Sequence, residues 1–378
     1  MKQSIIIIIL LLTVNILFAQ NNYFINNINS SSDVVVNTND MSFINLNTGY
    51  ITANKFDNGT NHYYLYKTTN GGINFSKIWA NNYSEKKKLS VSFSNENTGY
   101  MSKENNIYKT TNGGIDFPYI TYIPNYNQWC NTNFLCAKPN GDFYLLQAGG
   151  NKIYKYSIAA NNIQIIYTCG NNISLNYIEL SKLNENIIYA GGFKYQIDNS
   201  RFPFLIKSED NGSTWNLILD GLSDPNDMNS IMNFSVVNDG IRDIIKLSCF
   251  DKLIEYKNNS FILLQDNWNY GNKISFGEPL TGYYLQPDHG EVDNPPEGDI
   301  YAAAYRTTDG GYTWSTDMQI TQILSLNTLN KFYVNGDVAY LTISGNTPIK
   351  FCSRKVNMNY KSFADGTESS IGFISTIY

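Results

Sequence analysis

The stretch YKTTNGGINF at 66–75 returns almost unchanged as YKTTNGGIDF at 108–117. Two diverged copies follow, IKSEDNGSTWN at 206–216 and YRTTDGGYTWS at 305–315. Aligned, they share a hydroxyl residue, then Asp or Asn, then Gly, then an aromatic. The positions are Thr68, Asn70, Gly72, Phe75; Thr110, Asn112, Gly114, Phe117; Ser208, Asp210, Gly212, Trp215; and Thr307, Asp309, Gly311, Trp314. The chemistry is that of a hairpin turn. A short Asp or Asn side chain folds back onto backbone N–H groups, and the hydroxyl adds a local backbone bond. Gly takes the positive-φ position that other residues resist. The aromatic opens the outgoing strand. Each part is structural, so the Asp reads as a staple and not as a catalyst.

A second frame precedes this turn. MSFINLNTGY (41–50), VSFSNENTGY (91–100) and ISFGEPLTGY (274–283) each read as strand, polar turn, strand, as does the weaker LSLNTLNKFY (324–333). Looser versions begin near 134, 178 and 234. Unit starts near 41, 91, 134, 178, 234, 274 and 324 are 40 to 56 residues apart, about 47 on average. Each unit holds four strand-like pieces; in the first they are 41–45, 49–53, 62–68 and 75–79. Four strands at a period in the forties imply a β-propeller. The expected fold is all-β: a single propeller of seven four-stranded blades, with the box turns between third and fourth strands. Six or eight blades also fit the spacing. Units three, five and seven lack the box, but their third strands persist near Ile153, Ile254 and Pro348. The ring needs a closing strand, which either NYFINN (22–27) or IGFISTIY (371–378) supplies.

Composition agrees. Tyr and Ile, which favour strands, and Asn and Gly, which favour turns, dominate the 378 residues, and no long amphipathic helix follows the opening. A net charge of −5 lacks the basic face that nucleic acid requires. MKQSIIIIILLLTVNILFAQ at 1–20 has a basic start, an apolar stretch and Ala19 at its end. That is the layout of a secretory signal peptide. The apolar stretch is shorter than the ~20 residues of a spanning helix. The expected division is a signal peptide at 1–20 and a propeller at 21–378, secreted or held in the periplasm or cell envelope, with no transmembrane segment in the mature chain. Five cysteines exclude a dense disulfide framework. Cys130 and Cys136 are close enough to pair, while Cys169, Cys249 and Cys352 read as small buried residues.

The turn motif resembles the Asp-box, or BNR, repeat. The pairing of NTGY with YKTTNGG resembles the photosystem II stability/assembly factor-like branch of that repeat. Sortilin-type receptors, sialidases and xyloglucanase-type glycoside hydrolases share the box, so the resemblance implies a fold more than an activity. It spans about 40–360. The first two copies depart from it, with Asn for Asp and Phe for Trp. The LFAQ ending is also similar to export signals of low-GC Bacteroidetes proteins.

Strands alternate in direction, so the box turns share one face. The loops joining second to third strands, and blade to blade, share the other, which we call the top. Binding sites of propellers gather there. The unit-two loop, 102–106, is minimal; GGFKYQIDNSRFP (191–203) in unit four and QPDHGEVDNPPEGD (286–299) in unit six read as insertions. The last carries Asp288, His289, Glu291, Asp293, Glu297 and Asp299. Alternating oxygen ligands suit Ca²⁺, with Asp288 and Asp293 as its candidates. The missing EF-hand frame and two prolines suit a plain exposed loop, so no metal or cofactor is expected. Tyr126, Trp129, Tyr195, Arg201, Trp268 and Tyr270 complete the candidate surface, because exposed aromatics with a polar tip serve sugar and peptide contacts. Packing between blades is the competing role for Trp129 and Trp268.

A sialidase would need three arginines around a carboxylate. Only Arg201, Arg242, Arg306 and Arg354 exist, and two of these lie near the box face. A glycosidase would need a carboxylate pair across a cleft, such as Asp288 or Glu291 with Asp198 or Asp224. The expectation is therefore an exported, non-catalytic scaffold for a protein or glycan partner. The alternative is a glycoside hydrolase of Asp-box propeller type.

Overall fold

The computed structural model describes residues 24–27, 37–83, 89–125, 133–147, 149–197, 200–221, 230–249, 252–266, 268, 273–288, 299–324, 328–335, 338–344 and 350–354. All regular structure among them is β-strand. β1 (Phe24–Asn27) is first in the chain but belongs to the last blade. Blade one is β2 (Asn37–Phe43), β3 (Gly49–Asp57), β4 (Thr60–Thr68) and β5 (Ser76–Tyr83). Blade two is β6 (Leu89–Phe93), β7 (Gly99–Lys103), β8 (Asn106–Thr110) and β9 (Tyr119–Tyr122). Blade three is β10 (Asn133–Ala137), β11 (Phe143–Gln147), β12 (Lys152–Ser157) and β13 (Asn162–Thr168). Blade four is β14 (Ile173–Leu180), β15 (Ile188–Tyr195), β16 (Arg201–Ser208) and β17 (Asn216–Asp220). Blade five is β18 (Ile231–Asn238), β19 (Asp243–Cys249), β20 (Leu253–Lys257) and β21 (Ser260–Gln265). Blade six is β22 (Lys273–Phe276), β23 (Gly282–Asp288), β24 (Asp299–Thr307) and β25 (Ser315–Leu324). Blade seven is β26 (Thr328–Asn335), β27 (Val338–Ser344), β28 (Lys350–Arg354) and, outermost, β1.

Among the described residues these make seven four-stranded antiparallel sheets. Their first strands touch in order round a ring, and β26 returns to touch β2. Phe24 lies opposite Ser353 and Asn27 opposite Lys350, so the N-terminal strand closes the ring. The alternative closing segment, 371–378, lies outside the described residues. β2 and β14 start earlier than the sequence frames placed them, because polar Asp40 and Ser174 are buried strand residues rather than loop.

The box turns join third to fourth strands, and their bonds repeat. In blade four Ser208 Oγ accepts from the Gly212 N–H at 2.8 Å and donates to Asp210. Asp210 then accepts from the Thr214 N–H at 2.7 Å. Thr68 and Gly72, Thr110 and Gly114, and Thr307 and Gly311 do the same. Gly72, Gly114, Gly212 and Gly311 have φ of 87–106°. Blade five has no box and turns instead on Asn258 and Asn259, both at positive φ, the geometry of a tight hairpin.

The core is a set of layers between blades. Tyr50, Leu65, Val91 and Phe93 fill the first seam; Tyr100, Phe143, Leu145 and Tyr154 the second; Tyr144, Leu175, Ile178 and Ile206 the third. In blades one to four a buried tyrosine recurs on the second strand, and its hydroxyl ties the blade to the next. Tyr50 donates to Glu96 O at 2.9 Å, Tyr100 to Gly141 O, Tyr144 to Asn211, and Tyr189 to Asp243 at 3.0 Å. A lysine on the third strand stands over each of these rings: Lys67, Lys109, Lys155 and Lys207. Blade five replaces the pair. Lys246, 1% exposed, replaces the tyrosine and donates to Glu255 at 2.5 Å and to Gly310 O of blade six at 2.6 Å.

Polar side chains stitch the inner strands together. Asp40 and Ser42 accept from the Val91 and Phe93 N–H groups, Ser92 from Ala137, Glu179 from Val236, and Ser235 from Phe276. Asn233 mimics a strand, accepting from the Ile274 N–H at 3.1 Å and donating to its carbonyl at 2.9 Å. At the third seam Cys136 donates to Ile178 O instead, and Gly150 pairs its backbone with Leu175. These bonds occupy polar groups on the free edges of the inner strands.

Candidate functional site

The unit-four segment 191–203 is not an insertion loop. Residues 191–195 end one strand and 201–203 start the next, with Tyr195 opposite Arg201 and Phe193 opposite Pro203. Its glycines serve packing and not a turn: a Cβ at Gly192 would overlap the Ser174 carbonyl oxygen. Gln196 N–H closes the hairpin on Ser200 O at 2.9 Å. Asn172, before β14, clamps its base by exchanging bonds with the Tyr195 backbone.

The hairpin puts an aromatic pair and a cation on the top face. Phe193 and Tyr195 meet edge to face with centroids 5.0 Å apart. The Arg201 guanidinium lies 4.8 Å from the Phe193 ring centre and 5.5 Å from that of Tyr195. Phe193 is buried, Tyr195 is 36% exposed, Arg201 is exposed, and Ile197 at the tip is fully exposed. Among the described residues no carboxylate pairs with Arg201. The next cation, Lys194, is neutralised by Asp220 at 2.8 Å. A guanidinium beside two rings and, among the described residues, without a carboxylate partner has N–H donors to offer a planar anion or a carbonyl.

Trp268 does not belong to an exposed surface. It is 7% exposed, its indole N–H donates to Ser248 Oγ at 3.1 Å, and its ring packs on Tyr284 and Trp314. The connection after β21 turns it into the seam between blades five and six, where the box aromatic Trp314 completes the cluster. In the unit-six loop Asp288 ends β23, its backbone opposite Tyr301. His289, Glu291 and Asp293 lie outside the described residues, as do Tyr126, Trp129, Tyr270, Cys130, Asp198 and Asp224. Among the described residues no group of three or more His, Cys, Asp or Glu is placed to hold a metal. Among the described residues Cys136, Cys169 and Cys249 form no disulfide. Burial pushes Cys136 and Cys169 up to about 12, so both are unreactive at neutral pH. Arg242 bonds Asn258 on the box face, away from the hairpin.

Sequence reading missed Phe193 and Ile197. The alternation in FKYQI carried the signal, since it places Phe193, Tyr195 and Ile197 on one side of a strand.

Comparison by sequence finds no matching family model and no matching curated protein. Solved structures do match. A structure of YCF48 bound to D1 peptide has a TM-score of 0.60 and 16% identity, covering 89% of this chain and 98% of that one. Oligogalacturonate lyase from Vibrio parahaemolyticus has a TM-score of 0.56 and 11% identity, covering 89% and 94%. Streptogramin B lyase has a TM-score of 0.53 and 12% identity, covering 88% and 98%. The chain has a β-propeller fold. At these identities the likeness concerns the fold alone, which binding proteins and lyases share. The propeller resemblance drawn from the box repeats agrees with it.

Proposed function

We propose that the chain is an exported, non-catalytic binding scaffold whose top face holds a protein partner, anchored at the blade-four hairpin. The carrying observation is the Arg201 guanidinium beside the Phe193 and Tyr195 rings, 4.8 and 5.5 Å from their centres, near an exposed Ile197. An amphipathic anchor of aromatic rings and a guanidinium donor is what a peptide contact uses. A neighbour solved with a peptide bound supports the reading. The side-chain stitches narrow the mode of binding: the bonded inner strand edges offer no ladder to an added strand, so the partner is held by loops and hairpin tips. Export rests on the signal-like segment at 1–20.

The test is binding of the mature chain to peptide and glycan arrays, read for retention and for released sugar. Retention on peptides that Arg201→Ala and Tyr195→Ala each reduce tenfold or more supports the reading. Retention only on glycans makes the hairpin a sugar site. Released sugar overturns the non-catalytic assignment.

A further inference from the structure

Six Asn-Gly steps occur in the chain, with Asn at 58, 70, 112, 140, 211 and 335. This pair is chemically labile, because the glycine backbone nitrogen can attack the side-chain carbonyl carbon of the asparagine with no Cβ in the way. The attack needs a glycine N–H that no acceptor holds, an asparagine side chain free to turn, and room around the glycine. Five of the six steps lie wholly within the described residues; Gly336 does not.

Four of those five are blocked. Gly71, Gly113 and Gly141 donate their N–H groups to the carbonyls of Asn47, Asn97 and Lys138 at 2.8–2.9 Å, and Gly212 donates to Ser208 Oγ at 2.8 Å. All four glycines are buried. The asparagines are held as well. Asn70 and Asn112 accept from the Thr68 and Thr110 hydroxyls, Asn140 from the Asp142 N–H, and Asn211 from Lys138 Nζ. A Cβ at Gly113, Gly141 or Gly212 would overlap the Glu96 carbonyl, Ile158 or Ile166.

Asn58 and Gly59 differ on each count. They form the two-residue tip between β3 and β4, with Asp57 opposite Thr60. Their φ values of 48° and 77° are those of the tight hairpin turn that Asn-Gly prefers. Both are exposed, and no atom lies within 4 Å of where a Cβ on Gly59 would stand. Among the described residues nothing bonds the Gly59 N–H or the Asn58 side chain. The tip joins second to third strand, so it lies on the top face, as the blade-four hairpin does.

We propose that Asn58 is a site of spontaneous covalent modification, at which the folded chain exchanges a side-chain amide for a carboxylate. The Gly59 nitrogen gives its proton to solvent base and bonds to Asn58 Cγ. The bond from Cγ to the side-chain nitrogen breaks, and that nitrogen takes up a proton and leaves as ammonia. Water then opens the cyclic imide. Opening at Cγ gives aspartate; opening at the main-chain carbonyl gives isoaspartate, with the main chain one carbon longer. Either product is one unit more negative than the −5 of the sequence. The isoaspartate also alters the turn at this end of β4, far from the box at the other. The top face thus gains charge as the molecule ages, whatever that face binds.

The test is incubation of the mature chain at mildly alkaline pH in heavy-oxygen water, followed by peptide mapping and isoaspartate methyl-transfer labelling. Asn58 should convert about tenfold or more faster than Asn70, Asn112, Asn140 or Asn211, whose glycines must first give up a hydrogen bond. The rate should rise with pH, and ion exchange should show an early acidic species that Asn58→Gln removes. In concentrated urea the five sites should react at similar rates. A folded chain in which another of these sites reacts first, or all react equally, overturns the proposal. So does a folded chain whose Asn58 stays intact while the same residue reacts in urea.

Discussion

The smallest unit that explains this protein is one hydroxyl group. Ser208, fully buried, satisfies the Gly212 N–H that the turn would otherwise orphan. Removing it in Ser208→Ala leaves a buried donor unpaired, at a cost of about 1–3 kcal/mol, visible as a lowered midpoint in urea. The Asp of the box is subtler. Asp309 is pushed up by burial, but bonds from the Thr313 hydroxyl and amide, the Thr307 hydroxyl and the Gly311 amide hold it down to about 2. A carboxylate depressed in the fold contributes stability that is present above its unfolded value and lost as pH falls through the folded one. Melting temperature should therefore drop between about pH 4 and pH 2, and part of that slope should vanish in Asp309→Asn. Asn should keep the turn, since Asn70 and Asn112 already make it in blades one and two. Glu179 behaves in the opposite sense. Burial raises its carboxyl, against Lys182 and the Val236 amide, so ionisation costs the fold stability as pH rises past the ordinary carboxyl range. Glu179→Gln retains the acceptor for Val236 and should be more stable than wild type at pH 7 but not at pH 4, as denaturant titration would show.

At the scale of the element, the blades are variations on one tether between neighbours. Four use a tyrosine with a lysine over its ring, and blade five exchanges them for Lys246 and Glu255. Lys246→Ala strands Glu255 and the Gly310 carbonyl, a loss of about 3–5 kcal/mol. The double change Lys246→Tyr with Glu255→Lys restores the arrangement of blades one to four and should recover most of it. Equal instability of the single and double variants in chemical denaturation would show that the tethers are not interchangeable. The hairpin of blade four shows how an element can mislead. Read as a string, 191–203 has the glycines and polar residues of a loop. In the fold, its glycines let two backbones meet, and Lys194 and Arg201 are strand residues.

At the scale of the molecule, the ring depends on four residues far from their partners in sequence. β1 holds the outer edge of blade seven. A mature chain that begins after Asn27 should expose β28, lower the melting temperature and aggregate on concentration, which light scattering during a melt would reveal. Unchanged melting would mean that the ring is held by its interblade layers alone.

The sequence by itself determined the fold class, because the box, the NTGY frame and their period are local and repeated. A turn needs a few residues in order, and a strand needs only alternation, so both can be read from a string. The tertiary structure decided which residues meet. It buried Trp268 against Trp314, set Arg201 beside Phe193 and Tyr195, and chose the N-terminal strand to close the ring. Each joins positions whose proximity depends on the packing of blades. The same tyrosine is a solvent contact at one ring position and a buried tether at another, and only its neighbours in space distinguish them.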